Sequence, residues 1–452
     1  MTIKSLQSTS LTNNIFYRSM LAGNKPFGLS SYWISLLGGT RQDNGFGVAT
    51  DSGNNVYTFG FTDVLGVGDH FLLVKQDSAG AVQWQRTLTG DSTETGHGVA
   101  VDSGDNVYVV GKSASSGGNN DDFLLAKYNS AGTIQWQRSL GGGTTDRGYG
   151  IAVDSNDYVY VTGFSNSTGA GAGDFLLAKY DSSGTIQFQR TLGSTAYDEA
   201  RAVAIDSSDN VYVLGITYSI TNGDALLAKY NSSGTLQWQR SLGGASTDVG
   251  RGVAIDSSDN VYAFGYTISE GTGSNDYLLA KYNSSGTLQW QKILGGVSSE
   301  KGIAVAIDSS DNVYVNGETS SLGAGSRDFL IAKYDSSGTV QWQRTLGTAG
   351  YEVGNSITID SQGSILVLGE TEGVGSGNKD FLLAKLPSDG SLTGTYVLDG
   401  VDVVYSASAA TAATSTLTAA TSTLTGATST LTAATTTHTD ASASFTSYLV
   451  EL

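Results

Sequence analysis

Short segments that alternate apolar and polar residues, or are apolar throughout, recur between residues 33 and 400. One unit contains, in order, G-V-A-I, N-V-Y-V-L, F-L-L-A-K-Y and T-I-Q-W-Q-R-S-L. These segments are rich in β-branched and aromatic residues and are bounded by Asp, Asn, Ser and Gly, which is typical of β-strands. In the last segment Ile134, Trp136 and Leu140 share one face, the period of two of a half-buried strand. Tight polar turns, D-S-S-D-N and N-S-S-G, join the strands in pairs, so each unit predicts a four-stranded antiparallel sheet.

The unit occurs seven times. Its reference Asp, which opens the D-S-S-D-N turn, stands at Asp51, Asp102, Asp154, Asp206, Asp256, Asp308 and Asp360. Successive copies are 51, 52, 52, 50, 52 and 52 residues apart. Seven four-stranded sheets in tandem predict an all-β fold, a seven-bladed β-propeller of antiparallel blades.

The repeated motif also carries a family resemblance. D-S-S-D-N-V-Y-V-L-G, followed by D-[FAY]-L-L-A-K-Y-[DN]-S-S-G-T and W-Q, resembles the bacterial β-propeller repeat called SBBP, over about four fifths of the chain. The resemblance implies the propeller fold and little about function, because propellers include lyases, lectins, receptors and plain scaffolds.

Ring closure is predicted from the aromatic residue of the fourth strand. Gly394 takes its place in the seventh unit, whereas an unpaired copy, Y-W-I-S-L-L-G-G at residues 32–39, puts Trp33 in register before the first unit. We therefore expect the N-terminal strand to complete the last blade; the alternative is that Ser391 to Leu398 closes its own blade and Trp33 packs nearby. The predicted domains are an arm at 1–31, a propeller at 32–400 closed by strand 32–39, and a tail at 401–452. The aromatics of the other six units are Trp84, Trp136, Phe188, Trp238, Trp290 and Trp342.

The arm contains Lys4, Arg18 and Lys25 and no acidic residue, which makes it basic on an acidic chain. Its S-x-S-L-T-N and M-L-A-G-N resemble the N-terminal segments of structural proteins of marine tailed phages. The resemblance implies an arm that docks on other virion proteins; the alternative is a frayed terminus without a docking role.

The tail repeats every seven residues. A period of 3.5 per turn keeps the large residues in one helical seam, so we expect a coiled coil, and a parallel homotrimer in particular. Thr and Ser are poor helix formers, and the alternative is a disordered Thr-rich tether. The seam predicted to hold the oligomer contains Leu417, Leu424, Leu431, Phe445 and Leu452.

The composition of the chain limits the classes of partner and the chemistry that it can have. The net charge of −18 disfavours nucleic acid and anionic lipid surfaces as partners. No stretch has the length of a membrane span, and the N-terminus lacks the apolar region of a signal peptide. With no Cys, disulfides and thiolate chemistry are excluded.

The motifs do not indicate an enzyme, a metal or a cofactor. Of the three His, His97 alone retains a weak case for a Ser-His-Asp site, and no G-x-S-x-G supports it. The D-S-S-D-N turns lack the late Glu of a calcium loop and are interpreted as hairpin turns. The G-x-G segments do not open a helix after a strand, so they do not predict a phosphate site.

Variation among the copies predicts a binding face instead. All variable loops fall on one face of the disk, and aromatic and Arg side chains there are typical anchors of a binding surface; the alternative is that these loops drift without constraint. One variable column precedes each reference Asp by five residues: Phe46, His97, Tyr149, Arg201, Arg251, Ile303 and Asn355. The other follows it by ten residues: Phe61, Lys112, Phe164, Ile216, Tyr266, Glu318 and Glu370.

These observations predict a non-enzymatic structural protein of a phage virion, a tail or fibre appendage whose propeller contacts a host surface, including its glycans, or a neighbouring protein. It would be made in the host cytoplasm without a signal peptide and become part of the particle. The alternative is a secreted or surface carbohydrate-binding adhesin.

Overall fold

The computed structural model describes residues 31–63, 68–114, 120–219, 222–375, 378–421, 425–427, 432–435, 439–442 and 446–451. Every regular element in this part of the chain is a β-strand. The 1–31 arm, apart from its last residue, lies outside the described residues, so its docking role stays a prediction.

The strands form seven antiparallel blades, numbered here by their reference Asp. The first strand, β1, spans Trp33–Gly38. Blade 1 contains β2 (Asp43–Thr50), β3 (Val56–Thr62), β4 (His70–Gln76) and β5 (Val82–Thr89). Blade 2 contains β6 (Glu94–Val101), β7 (Val107–Ser113), β8 (Asp122–Tyr128) and β9 (Ile134–Gly141). Blade 3 contains β10 (Asp146–Val153), β11 (Val159–Ser165), β12 (Asp174–Tyr180) and β13 (Ile186–Gly193). Blade 4 contains β14 (Asp198–Ile205), β15 (Val211–Thr217), β16 (Asp224–Tyr230) and β17 (Leu236–Gly243). Blade 5 contains β18 (Asp248–Ile255), β19 (Val261–Thr267), β20 (Asp276–Tyr282) and β21 (Leu288–Gly295). Blade 6 contains β22 (Glu300–Ile307), β23 (Val313–Thr319), β24 (Asp328–Tyr334) and β25 (Val340–Gly347). Blade 7 contains β26 (Glu352–Ile359), β27 (Ile365–Thr371) and β28 (Asp380–Leu386).

The ring closes through the N-terminal strand. β1 pairs antiparallel with β28, with Trp33 opposite Lys385, and so fills the fourth-strand place of blade 7, where the sequence register puts Trp33. The segment that could have closed the blade itself, β29 (Gly394–Leu398), lies instead at the outer edge of the blade 6 sheet. The two ends of the repeat are thereby tied together.

Adjacent blades are joined by the W-Q-R and N-S-A-G segments. Trp84 donates its indole N–H to the carbonyl oxygen of Ser130 in the next blade (3.2 Å), and Arg86 Nε donates to that of Gly132 (2.8 Å). Gly132 has φ +76°, and a Cβ there would lie 2.9 Å from the Trp84 ring. The glycine of this turn is therefore required both by its backbone conformation and by the indole packed on it.

The turn that contains the reference Asp is held by that residue. Asp206 accepts hydrogen bonds from the backbone and side chain of Asn210 and from the Tyr212 hydroxyl (3.1 Å), and pairs with Lys229 at 3.2 Å. Although burial opposes it, the hydrogen bonds from Asn210 lower the pKa of Asp206. The carboxylate thus stabilises a hairpin and ties it to the third strand, which explains why D-S-S-D-N-V-Y and the Lys of L-L-A-K-Y occur together.

The tail forms strands, so the helical seam predicted for it is wrong. After β29 the chain continues as β30 (Val401–Ala407), β31 (Thr411–Thr414), β32 (Thr418–Thr421), β33 (Thr425–Ala427), β34 (Thr432–Thr435), β35 (Thr439–Ser442) and β36 (Thr446–Glu451). These seven strands, here called the belt, add one outer strand to each blade, on β25, β21, β17, β13, β9, β5 and β1 in that order.

The seven-residue period is the step from one blade to the next. Thr411 pairs with Gly295 of blade 5, and Thr418, seven residues on, pairs with Gly243 of blade 4 in the same register. In the described step from β31 to β32, four residues of strand and residues 415–417 make up the seven. The sequence argument failed because it compared a helix with one continuous strand, for which an odd period is indeed unfavourable.

Leu417 was predicted to lie in an intersubunit seam, and it lies in the core of its own chain. It is 6% exposed and packs between blades 4 and 5 against Leu242 and Ala263. Gln291 donates to the carbonyl oxygens of Ser415 and Leu417 and fixes this crossing. The other predicted seam residues, Leu424, Leu431, Phe445 and Leu452, lie outside the described residues; the trimer stays a prediction and has lost its helical basis.

None of the described segments is a helix long and apolar enough to span a membrane.

Candidate binding face

The first variable column coincides with a β-bulge in every blade. In blade 3, Gly148 pairs with Gly163 and Gly150 pairs with Thr162, which leaves Tyr149 as an extra residue on the inner strand. A bulge of this kind redirects one side chain without ending the strand. The same register shift leaves one unpaired residue in each blade, and these seven, here called the bulge residues, are Phe46, His97, Tyr149, Arg201, Arg251, Ile303 and Asn355.

The bulge residues are brought together around the axis of the propeller. All seven are half-buried and line a central cavity of about 260 Å³, whose wall also includes the apolar inner-strand residues Val99, Ile151 and Val253. Four of the G-x-G segments, those around Phe46, His97, Tyr149 and Arg251, are thus the flanks of bulges. The inner strands crowd at this point: a Cβ on Gly98 would lie 2.9 Å from the carbonyl oxygen of Tyr149 in the next blade.

An aromatic arc extends over blades 1 to 4. Its rings are 4.8 to 6.3 Å apart between centroids, the range of favourable aromatic pairs. Phe61 and Phe164 of the second column join it by stacking on Phe46 and Tyr149. The successive members of the arc are Phe61, Phe46, His97, Tyr149, Phe164, Tyr197 and Tyr218.

The rest of the face is charged. Glu318 pairs with Arg327 at 2.8 Å and with Lys301 at 3.6 Å. Glu370 pairs with Lys379 at 2.6 Å and accepts a hydrogen bond from Asn44, across the closure of the ring. These members of the second column hold neighbouring loops together.

The remaining second-column residues either lie beside a bulge residue or support the surrounding structure. Lys112 pairs with Asp121 at 3.2 Å, and Tyr266 lies 5.8 Å from the guanidinium carbon of Arg251. Ile216 is 3% exposed and packs in the blade. The column therefore includes residues that pack beside the bulge residues and residues that support the loops.

Four cationic side chains lie near the cavity on its blade 2 to 5 side: Lys112, Arg147, Arg201 and Arg251. Burial, together with the charges of Lys112, Arg147 and Arg201, lowers the pKa of His97 to about 3. Its ring lies 4.8 Å from that of Tyr149 in an edge arrangement. His97 is therefore a neutral aromatic wall residue near pH 7, and a general-base role for it has no support in this geometry.

Sequence reasoning missed a third variable column, seven residues before each reference Asp. It contains Arg147 and Glu199, which form ion pairs with Asp121 (2.6 Å) and Arg201 (3.1 Å). The signal was present, because this position varies as much as the two columns chosen: Asn44, Thr95, Arg147, Glu199, Val249, Lys301 and Val353.

The opposite face is repetitive. Ser103 donates its backbone N–H and hydroxyl to Asp157 of the next blade (3.0 and 2.9 Å), and Ser207 bonds Asp259 in the same way. Within the described residues, no group of three or more His, Cys, Asp and Glu is arranged to hold a metal ion. A second cavity, of about 320 Å³, lies on this face and is lined by turns of blades 4 to 6, including those around Asp259 and Asp311.

The fold and this face define a β-propeller with a variable axial opening. The family described as "Beta-propeller repeat", SBBP, matches residues 135–169 and 237–271 and supports the SBBP-type propeller that the motif predicts.

Curated relatives share only segments with this chain. An uncharacterized WD repeat-containing protein of Acanthamoeba polyphaga mimivirus is 22% identical over 268 residues, 47% of this chain and 18% of its own. The regulatory protein FlaEY of Caulobacter vibrioides is 33% identical over 107 residues, 21% of this chain and 11% of its own. The chain thus spans less than a fifth of either relative.

Solved structures resemble the chain in fold. Polysaccharide lyase Uly1 has a TM-score of 0.47 and 10% identity, covering 78% of this chain and 90% of its own. NanB sialidase from Streptococcus pneumoniae has a TM-score of 0.42 and 10% identity, covering 77% of this chain and 69% of its own.

Proposed function

We propose that this protein is a non-enzymatic binding propeller of a phage virion, a tail or fibre appendage that presents its variable face to a glycan on the host surface. The observation that carries the proposal is the ring of bulge residues. Each blade uses the same register shift to direct one side chain at the axis, and the seven side chains are of six different types while the framework around them repeats. Such a ring is a fixed frame for a variable contact surface.

The chemistry of the ring suits a sugar. Tyr149, held in place by stacking on the buried Phe164, offers a rigid aromatic surface, which gains contact area with little loss of entropy. Arg201, the bulge residue of the next blade, adds hydrogen-bond donors beside that surface. Aromatic faces and fixed polar groups in a concave site are the usual means of small-ligand recognition.

The non-enzymatic part of the proposal is supported by His97. Its pKa of about 3 leaves it uncharged and a weak base near pH 7, and its neighbours in the ring are Phe46 and Tyr149. The virion part is supported by the arm motifs at residues 8–13 and 20–24 and waits for a direct test.

The binding test compares the two faces of the disk. Tyr149→Ala and Arg201→Ala should each abolish binding to host cells and to a glycan array without changing the far-ultraviolet circular dichroism. The matched controls, Ser208→Ala and Ser258→Ala in the repeated turns, should bind as the wild type does. A wild type that binds neither cells nor glycans, or ring variants that bind normally, would overturn the proposal.

The location test is mass spectrometry of purified particles. The protein should be present in the particle in stoichiometric amount. Its presence only in the medium or on the bacterial surface would instead identify the carbohydrate-binding adhesin.

A further inference from the structure

Two arginines stand side by side on the ring with unused hydrogen-bonding capacity. Arg201 and Arg251 are the bulge residues of blades 4 and 5. The Nε atoms of both are buried and have no hydrogen-bond partner among the described residues. A buried donor left in this state costs free energy. Both side chains are half-buried and line the axial cavity, so a ligand there meets the exposed part of each side chain.

The two guanidinium groups differ in their neighbours. Arg201 shares Glu199, 3.1 Å away, with the Tyr197 hydroxyl, which donates to the same carboxylate oxygen at 2.6 Å. No carboxylate in the described part of the chain lies within ion-pair distance of Arg251, whose guanidinium carbon is 5.8 Å from the Tyr266 ring centre. Arg251 is therefore a half-buried cation with an aromatic neighbour and no counterion there.

The pKa of Arg251 and the charges around it also indicate a site that favours a negatively charged ligand. Burial and the charge of Arg201 lower the pKa of Arg251. On a chain with a net charge of −18, Lys112, Arg147, Arg201 and Arg251 gather near this part of the axis. Like charges held together in a water-poor cavity attract an anion more strongly than the same charges on the open surface.

We propose that the axial cavity binds the carboxylate of a terminal acidic sugar between Arg201 and Arg251, with the sugar ring against Tyr149. A guanidinium fork matches a carboxylate in shape and charge, which a neutral sugar cannot exploit. The cavity of about 260 Å³ has room for one sugar residue and not for a folded polymer. This inference rests on the proposed glycan-binding function and names the class of glycan.

The test is calorimetric titration of the intact protein with glucuronic acid, galacturonic acid and N-acetylneuraminic acid, with glucose and inorganic sulfate as comparisons. The acids should bind at least about tenfold more tightly than glucose, since hydrogen bonds to a charged group are worth about 1.5–3 kcal/mol. Binding should weaken as salt is raised. Sulfate binding equal to that of the acids would show a simple anion site and overturn the proposal.

Variants separate recognition from folding. Arg251→Gln should lose at least about tenfold in affinity for the acids. Its melting temperature should be unchanged or raised, because the native arginine lacks a counterion. Arg41→Gln, which removes one exposed positive charge elsewhere, is the matched control and should bind normally.

The outcomes distinguish the two proposals. Equal binding of neutral and acidic sugars, with Arg251→Gln inert, would overturn the acidic-sugar inference and leave the binding face standing. Absence of all sugar binding would overturn both. A large drop in the melting temperature of Arg251→Gln would show that the arginine is a structural residue and would also overturn the inference.

Discussion

Trp33 donates its indole N–H to the carbonyl oxygen of Ser78 at 3.2 Å, the same bond that Trp84 makes with Ser130 one blade further on. The first strand of the chain therefore reproduces the contact between consecutive blades across the point where the ring closes. Trp33 differs in one respect: it is fully buried, whereas Trp84 is partly exposed. The reason is that the belt strand β36 runs along β1 as far as Trp33, which pairs with Glu451, whereas the belt strand on blade 1, β35, pairs only with residues 86–89 and does not reach Trp84.

Replacing Trp33 with Ala should therefore weaken the whole ring. We expect the free energy of unfolding to fall by about 3–5 kcal/mol, the usual cost of truncating a buried aromatic. Trp238→Ala, at the equivalent place within the repeat, is the matched control and should cost less because that ring is half-exposed. Denaturant unfolding of the two variants gives the comparison, and equal losses would count against a special role for the closure.

The belt should depend on its buried leucine. Leu417→Asp places a charge without a partner between blades 4 and 5, which costs several kcal/mol and should release the adjoining belt strands. Thr411→Asp, at an exposed belt position, should leave the belt in place. Hydrogen exchange in β31 and β32 should rise sharply in the first variant only; unchanged protection would show that the belt does not depend on this contact.

The bulges should depend on the glycine opposite each of them. A Cβ on Gly163 would lie 1.8 Å from the carbonyl oxygen of Arg147, which is backbone and cannot move aside cheaply. Gly163→Ala should therefore destabilise the protein by about 3 kcal/mol or more. A Cβ on Gly143 meets nothing within 4 Å, so Gly143→Ala should be near neutral. Similar melting temperatures for the two variants would mean that the bulge geometry is not enforced.

Buried carboxyl groups lie close together at the ends of neighbouring strands, so the stability of the folded protein should depend on pH. Burial and the charges of Asp146 and Asp121 raise the pKa of Asp122 to about 7. The folded state then holds a proton that the unfolded state releases near pH 4, so this group's contribution is full below about pH 4 and is lost as the pH rises through 7. Asp122→Asn, which stays neutral, should gain several degrees in melting temperature relative to the wild type between pH 5 and pH 8.

The control variant is Asp181→Asn, whose effect on stability should change with pH in the opposite direction. Although burial opposes it, hydrogen bonds from Ser183 and Thr185 lower the pKa of Asp181. Its contribution is present above pH 4 and is lost as the pH falls further. Asp181→Asn should therefore be less stable than the wild type at pH 7, with a difference that shrinks in acid. A pH-independent difference for Asp122→Asn would contradict the assignment.

The sequence predicted the blades because seven copies of one unit repeat the same strand and turn signals. It also predicted the position of Trp33, since the missing aromatic at Gly394 left one vacancy to fill. It failed for the tail because a period of seven suits a helical seam and a step between blades equally. The distance between blade edges decides between them, and that distance is a property of the assembled ring.

The site was predicted in outline. Variation identified the bulge residues and their shared face, but not the bulge itself, because Gly-x-Gly around Tyr149 also fits an ordinary strand. The pairing of Arg147 with Asp121 was missed because the two residues belong to different blades. The sequence could not show that Arg251 lacks an ion-pair partner among the described residues, because this depends on which cations the nearby carboxylates pair with.

The central claim is that the bulge residues form one binding ring, and a serine scan of that ring tests it most directly. Each of the seven is replaced singly with Ser, and host-cell binding is measured beside far-ultraviolet circular dichroism. We predict the largest losses at Tyr149, Arg201 and Arg251, which are contiguous over blades 3 to 5, and small losses at Phe46 and Asn355 across the axis. A scan in which no position matters, or in which the losses show no relation to place on the ring, would contradict the account.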